Sequence, residues 1–195
     1  MVVNKPAGLL SVPTPKQESR TLTSILNQDA QDRGLKYHFY PCHRLDRDTS
    51  GLLIYAKGKS IEQKMVEAFR DRLVGKKYIA FVHGKLSLPQ GVINSAIEGK
   101  RAVTKYRVIQ EKSNYSVVEI SPVTGRTNQI RIHFKNIQHP LVGEDKFAFR
   151  KDFALRAKRV CLHAEYLEFK HPQTAKTIAV KSPLPEDMQK FLDGH

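Results

Sequence analysis

The sequence predicts an α+β domain. Three observations lead there. Strand-like apolar segments follow one another in adjacent runs. Helical spacing appears between only some of them. No regular strand–helix alternation, the mark of a parallel sheet, runs along the chain. The chain has 195 residues, 40% of them hydrophobic, enough to bury most of its apolar surface as a single domain, 1–195, without staples or metal.

Taken in order, Val2-Val3-Asn4 reads as the end of a strand, turned by Lys5-Pro6-Ala7-Gly8. Thr21 to Ala30 carries Leu22, Ile25 and Leu26 at helical spacing. Leu52 to Ala56 is a buried strand. Ser60 with Gln63 three residues on has the capping-box pattern, opening a helix whose apolar face is Met65, Ala68 and Phe69. Lys77 to His83 is a strand ending at Gly84. Ala102 to Ile109 and Tyr115 to Ile120 form a strand pair. Thr127 is placed to cap a short helix carrying Ile130, Arg131 and Phe134. Val160 to Phe169 and Thr177 to Val180 flank a Pro172 turn, a hairpin pattern. Pro185 to Leu192 closes the chain as a helix with Pro185 in its first turn.

Charge narrows the partner. Thirty-three Lys and Arg against 19 Asp and Glu leave +14, the footprint of a protein that meets nucleic acid. No apolar run approaches the length of a membrane helix, and the start shows no secretory pattern, so a cytoplasmic home without membrane contact is expected. The two cysteines, Cys42 and Cys161, make no disulfide framework. The histidines lack metal-ligand spacing, and neither a metal nor a cofactor is expected. No strong apolar seam is visible, which favours a monomer.

The most informative stretch is His43-Arg44-Leu45-Asp46-Arg47-Asp48-Thr49-Ser50-Gly51, running into Leu52-Leu53-Ile54. A charge-dense loop against an apolar strand fixes Asp46 on a rigid element among cations, which makes it a candidate nucleophile. The competing reading is a plain Asp turn before a strand. A second motif, Thr124-Gly125-Arg126-Thr127-Asn128-Gln129-Ile130-Arg131-Ile132-His133, follows a strand and a Pro122 break. Arg126 and Arg131 are five apart, so one can reach inward while the other meets phosphate.

Together these motifs, with Lys77-Tyr78, Val3-Asn4-Lys5-Pro6-Ala7-Gly8-Leu9, His139-Pro140-Leu141-Val142-Gly143 and Leu162-His163-Ala164-Glu165, closely resemble the pseudouridine synthases of the RluA family. The resemblance runs in order along nearly the whole chain. It implies a mixed, mostly antiparallel sheet with flanking helices, the pseudouridine synthase catalytic fold, in the compact form without an S4 module. A first N-terminal strand usual in the family is not seen ahead of Val2.

The resemblance also implies roles. Asp46 falls on the catalytic aspartate, Tyr78 on the tyrosine that stacks on the flipped base, and Arg131 on the arginine that pairs with the aspartate. Ile130 lines the pocket floor. Arg44, Leu45, Thr49, Gly51, Arg126 and Gln129 are the remaining substrate-binding positions. A guanidinium suits the pairing role because it can hold a carboxylate through two parallel hydrogen bonds. Asn128 stands where the family commonly has His, while Glu144 and Phe147 stand where Asp and Tyr are usual; these departures read as tuning.

The implied reaction breaks the uridine glycosidic bond, turns the uracil and rejoins it through carbon. The substrate would be a stem-loop of rRNA or tRNA with one uridine out of its stack. Two basic clusters are expected to grip RNA backbone beside the pocket. One is Lys100, Arg101, Lys105 and Arg107; the other is Lys146, Arg150, Lys151, Arg156, Lys158 and Arg159. The rivals are a non-catalytic RNA-binding module on the same fold, which predicts an altered aspartate or arginine, and a metal-dependent hydrolase using Asp46 and Asp48.

Overall fold

The computed structural model describes residues 1–14, 18–148 and 155–195. The chain divides into two compact units: Met1–Gly75 with Tyr166–Ser182, and Lys76–Glu165 with Pro183–His195. The strand pairs named below are antiparallel, and with four helices among the described residues the fold is α+β.

The first unit holds β1 (Val2–Lys5), α1 (Leu22–Asp32), β2 (Phe39–Pro41), β3 (Ser50–Lys57) and α2 (Lys59–Arg70). It also holds the Tyr166–Lys170 end of β8 (Leu162–Lys170) and β9 (Thr177–Lys181). β1 and β2 both pair with β3, and β9 pairs with β8. All but the last residue of β3 is buried, and its alternation sorts the two faces. Leu52, Ile54 and Ala56 pack with Met65 of α2, Val74, Leu167 and Phe169. Tyr55, on the opposite face, meets the Thr23 hydroxyl of α1 at 3.1 Å.

The helix starts differ from the sequence expectation. The capping box belongs to α1, where the Thr21 hydroxyl accepts from the Ser24 N–H at 3.1 Å and Ser24 Oγ accepts from the Thr21 N–H at 2.9 Å. Helix α2 starts at Lys59 rather than after Ser60. Gly58 takes a positive φ of 110° and turns the chain into the helix with no side-chain cap. Strand β2 was not expected, because three residues carry too little periodicity to read.

The second unit holds most of β4 (Gly75–His83), with β5 (Gln90–Asn94), β6 (Val103–Glu111), β7 (Tyr115–Pro122), α3 (Gln129–Asn136), the start of β8 and α4 (Glu186–Gly194). β4 pairs with β7, β7 with β6, and β6 with β5. Period-two alternation again builds two cores. Tyr78, Ala80, Val82, Val118 and Ile120 share one with Ile130 and Phe134 of α3. Ile79, Phe81, Tyr115 and Val117 share the other with Met188 and Phe191 of α4. The strand β5 went unread because Gly91 interrupts a short segment. That glycine is required: a Cβ there would lie 2.7 Å from the Tyr106 hydroxyl oxygen, the ring that crosses it from β6.

Candidate active-site residues

In the first unit, the backbone around Asp46 is held from both sides. Lys5, at the end of β1, is fully buried. Its ammonium donates to the carbonyls of Pro6 at 2.8 Å, Leu9 at 2.7 Å and Arg47 at 2.9 Å. The Gly8 N–H donates to the same Arg47 carbonyl at 2.9 Å. On the other side, Ser11 closes a reciprocal pair with Leu45. Its hydroxyl donates to the Leu45 carbonyl at 2.8 Å and accepts from the Leu45 N–H at 3.1 Å. The Thr49 N–H donates to the Asp46 carbonyl at 3.2 Å and closes the turn.

The side chains of this loop separate by exposure. Leu45, Thr49 and Gly51 are buried, Arg44 is exposed, and Asp46 is half-buried. The Arg47 guanidinium pairs with Glu18. His43 Nε2 accepts from the Ile54 N–H at 3.1 Å while its ring packs on Phe69. His43 therefore ties the loop to β3.

In the second unit, the chain enters α3 through Asn128, in the left-handed region at φ 53°. Asn128, not Thr127, occupies the cap position, and no side-chain cap bond forms there. The next residue, Gln129, is buried and satisfied within the protein. Its Oε1 accepts from the Thr124 hydroxyl at 2.7 Å and the Arg126 N–H at 3.0 Å. Its Nε2 donates to the Val103 carbonyl at 3.0 Å and the Thr104 hydroxyl at 2.9 Å. Those four bonds use the whole capacity of the amide, so Gln129 is a bracket between α3 and β6. Ile130 and Tyr78 come to the same apolar cluster, with Tyr78 only partly buried.

Arg131 turns inward, whereas Arg126 is exposed. The Arg131 Nε and Nη2 donate to the two carboxylate oxygens of Glu144 at 2.6 Å and 2.7 Å. Nη1 donates to Asn128 Oδ1 at 3.2 Å, and the Phe147 ring lies 5.1 Å from the guanidinium carbon. Burial alone would raise the Glu144 pKa. The two bonds and the charge of Arg131, with the N–H groups of Lys146 and Phe147, outweigh it and hold the carboxyl below its ordinary value.

The expected basic clusters split. Lys100 and Arg101 are exposed, and the Arg101 carbonyl accepts from Arg126 Nε at 3.1 Å, which joins them to the approach of α3. Lys105 does not belong with them. Its neighbours Thr104 and Tyr106 face α3 through Gln129 and Phe134, so strand alternation sends Lys105 and Arg107 to the opposite face. There Arg107 meets Glu119 at 3.2 Å. Lys105 therefore does not flank the Tyr78–Ile130 cluster.

Arg156 and Lys158 are exposed, but Arg159 is a structural clamp. It donates to Asp187 of α4 at 2.6 Å and 3.0 Å and to the carbonyls of Val160 and Leu162. Four of its five N–H donors are thereby spent on internal acceptors. Arg150 and Lys151 lie outside the described residues. Among the described residues, no group of three or more His, Cys, Asp or Glu converges on a metal position.

A family model described as RNA pseudouridylate synthase matches residues 1–136 of this chain. The chain belongs to that family. RNA pseudouridine synthases are isomerases, and this synthase is 36% identical over 193 residues to the dual-specificity RNA pseudouridine synthase RluA of Haemophilus influenzae, a match spanning 91% of this chain and 85% of that protein. It is also 36% identical over 211 residues to the RNA pseudouridine synthase YlyB of Bacillus subtilis, covering 100% of this chain and 69% of that one. Its fold matches the human RNA pseudouridylate synthase domain containing 4 with a TM-score of 0.81, at 23% identity, over 98% of this chain and 88% of that one.

In this synthase, sequence reasoning missed Lys5, Ser11 and Glu144. Lys5 lies inside the Val3–Leu9 motif, but nothing in a sequence distinguishes a buried lysine from a solvated one. Ser11 sits in a polar loop with no pattern. Glu144 reads in the sequence as tuning, and its signal is its place directly after Gly143 in a motif that otherwise matches.

Proposed function

We propose that this synthase converts uridines in structured RNA, rRNA or tRNA stem-loops, to pseudouridine, with Asp46 as nucleophile. The observation that carries the reading is the loop itself. Asp46 is flanked by two residues whose backbone groups are tied down, Leu45 by Ser11 and Arg47 by Lys5 and Gly8. A carboxylate that must meet one carbon of one nucleotide needs such a fixed base, because small misplacements of a reacting group are costly.

The target uridine leaves its stack, at a cost of a few kcal/mol, least in a loop or at a mismatch. Tyr78, half-exposed at the rim of the Ile130 cluster, is the platform for the everted base. Asp46 performs covalent catalysis, dividing one hard step into easier ones. The glycosidic bond to nitrogen breaks, the uracil turns, a bond from the sugar to a ring carbon forms, that carbon releases its proton and the freed nitrogen takes one up, with no redox change. Arg131 supplies the positive charge that keeps a carboxylate in a substrate-filled site ionised. Arg44, Arg126, Lys100, Arg101, Lys146, Arg156 and Lys158 are the exposed members of the expected set left to meet phosphate. The dual-specificity in the name of the Haemophilus relative supports a synthase that serves more than one RNA. The reaction is assigned to the cytoplasm, where such RNA is folded.

The test is a pseudouridine assay on a uridine-containing stem-loop RNA, comparing the wild type with Asp46→Asn. The variant is expected to bind the RNA with unchanged Kd and to form no detectable pseudouridine. Equal product from both proteins would overturn the assignment.

A further inference from the structure

We infer that Glu144 is a positioning residue, which sets the guanidinium of Arg131 for the reaction. This rests on the assignment of Arg131 to the active site made above. Glu144 is 4% exposed and Arg131 7%, so neither is tumbling in solvent. The carboxylate holds one whole edge of the guanidinium, Nε at 2.6 Å and Nη2 at 2.7 Å. Two parallel bonds fix the plane as well as the position of the group, which a single contact to a lysine would not do.

The carboxylate is itself immobilised. Oε1 also accepts the backbone N–H of Lys146 at 2.9 Å and of Phe147 at 3.2 Å. The backbone that delivers it is equally constrained. Gly143 takes a φ of +81°, and a Cβ there would lie 1.9 Å from the Arg159 carbonyl oxygen. Arg159 is clamped in turn to Asp187 of α4. A chain of rigid contacts therefore runs from α4 through Arg159 and Gly143 to Glu144, and ends on Arg131.

A buried ion pair is weak evidence for stability, because an apolar pair of similar volume often does as well. What this geometry supplies is orientation. Arginine is long and flexible, and with its Nε edge held the opposite edge of the guanidinium points in one direction only. Asn128 on Nη1 and Phe147 beside the plane define that direction further.

The experiment compares the wild type with Glu144→Gln, Glu144→Asp and Arg131→Lys, each first checked for a native fold. The readouts are the single-turnover rate constant and the RNA Kd on a uridine-containing stem-loop. Glu144→Gln is expected to lower the rate constant about 100-fold with Kd unchanged. Glu144→Asp keeps the charge and is expected to recover most of the rate. A Glu144→Gln protein with the wild-type rate, or one whose loss lies wholly in Kd, overturns the inference.

A measurement on the wild type covers the case in which Glu144→Gln does not fold. The Nε–H resonance of Arg131 is expected to be protected from solvent exchange. Exchange as fast as that of exposed arginines would overturn the inference. Wild-type activity in Arg131→Lys would instead remove the reading of Arg131 itself, leaving the geometry of the Glu144 pair untouched.

Discussion

Asp46 and Arg131 are held in opposite ways. The aspartate is anchored through its backbone: Ser11 grips the residue before it, and Lys5 with Gly8 grips the residue after it. The arginine is anchored through its side chain, by a buried carboxylate that takes one edge of the guanidinium. The difference follows from the length of the two side chains. A carboxylate on one methylene stays close to its Cα, so fixing the main chain confines the oxygens to a few rotamer positions. A guanidinium at the end of a flexible stem is fixed only by bonds to its own nitrogens. The first anchor is thus made to the main chain and the second to the side chain itself.

That contrast can be broken from the arginine side first, where the effect is largest. Glu144→Ala leaves a buried guanidinium without its carboxylate and is expected to cost about 3–5 kcal/mol at neutral pH, read by urea unfolding. The pH dependence carries the sign. The Glu144 pKa is depressed in the folded state, so its stabilisation is present above the unfolded value, about 4.3, and is lost as pH falls through the lower folded value. The gap between wild type and variant should narrow on acidification below about pH 4.3; a gap constant from pH 7 to pH 3 would mean that the carboxylate charge is not what matters.

From the aspartate side, Lys5→Met removes three charge-assisted bonds to carbonyls. A cost of about 3 kcal/mol is expected, a Tm lowered by roughly 6–12 °C. The smallest effect is at Ser11→Ala, about 1 kcal/mol in stability. It should nonetheless lower the rate of pseudouridine formation more than RNA affinity, since Leu45 adjoins Asp46. A fall confined to Kd would show that Ser11 does not steady the loop.

Much of the architecture was legible from patterns that are local. The period-two alternation of 77–83 and 115–120, the helical spacing after Thr21 and the Pro172 turn all describe elements that are present. Boundaries were less legible where backbone geometry decides. Gly58 turns the chain into α2 ahead of the expected Ser60 cap, and Asn128 does the same for α3 in place of Thr127. The charged residues were the hardest to place. Lys105 and Arg101 look alike in a list of cations, yet strand alternation sends Lys105 away from α3 while Arg101 joins Arg126. Arg159 reads as one more cation in a basic run, and only the position of Asp187, 28 residues later, turns it into a clamp.

The chain by itself determined the kind of protein. Several motifs in one order, with a strong positive charge, specify the family and an RNA partner, because those features are carried by residue identity and spacing alone. Which cations meet solvent and which are consumed inside was decided only in three dimensions. An ion pair such as Arg131 with Glu144 depends on where two distant backbones bring their side chains, and neither identity nor spacing contains that distance.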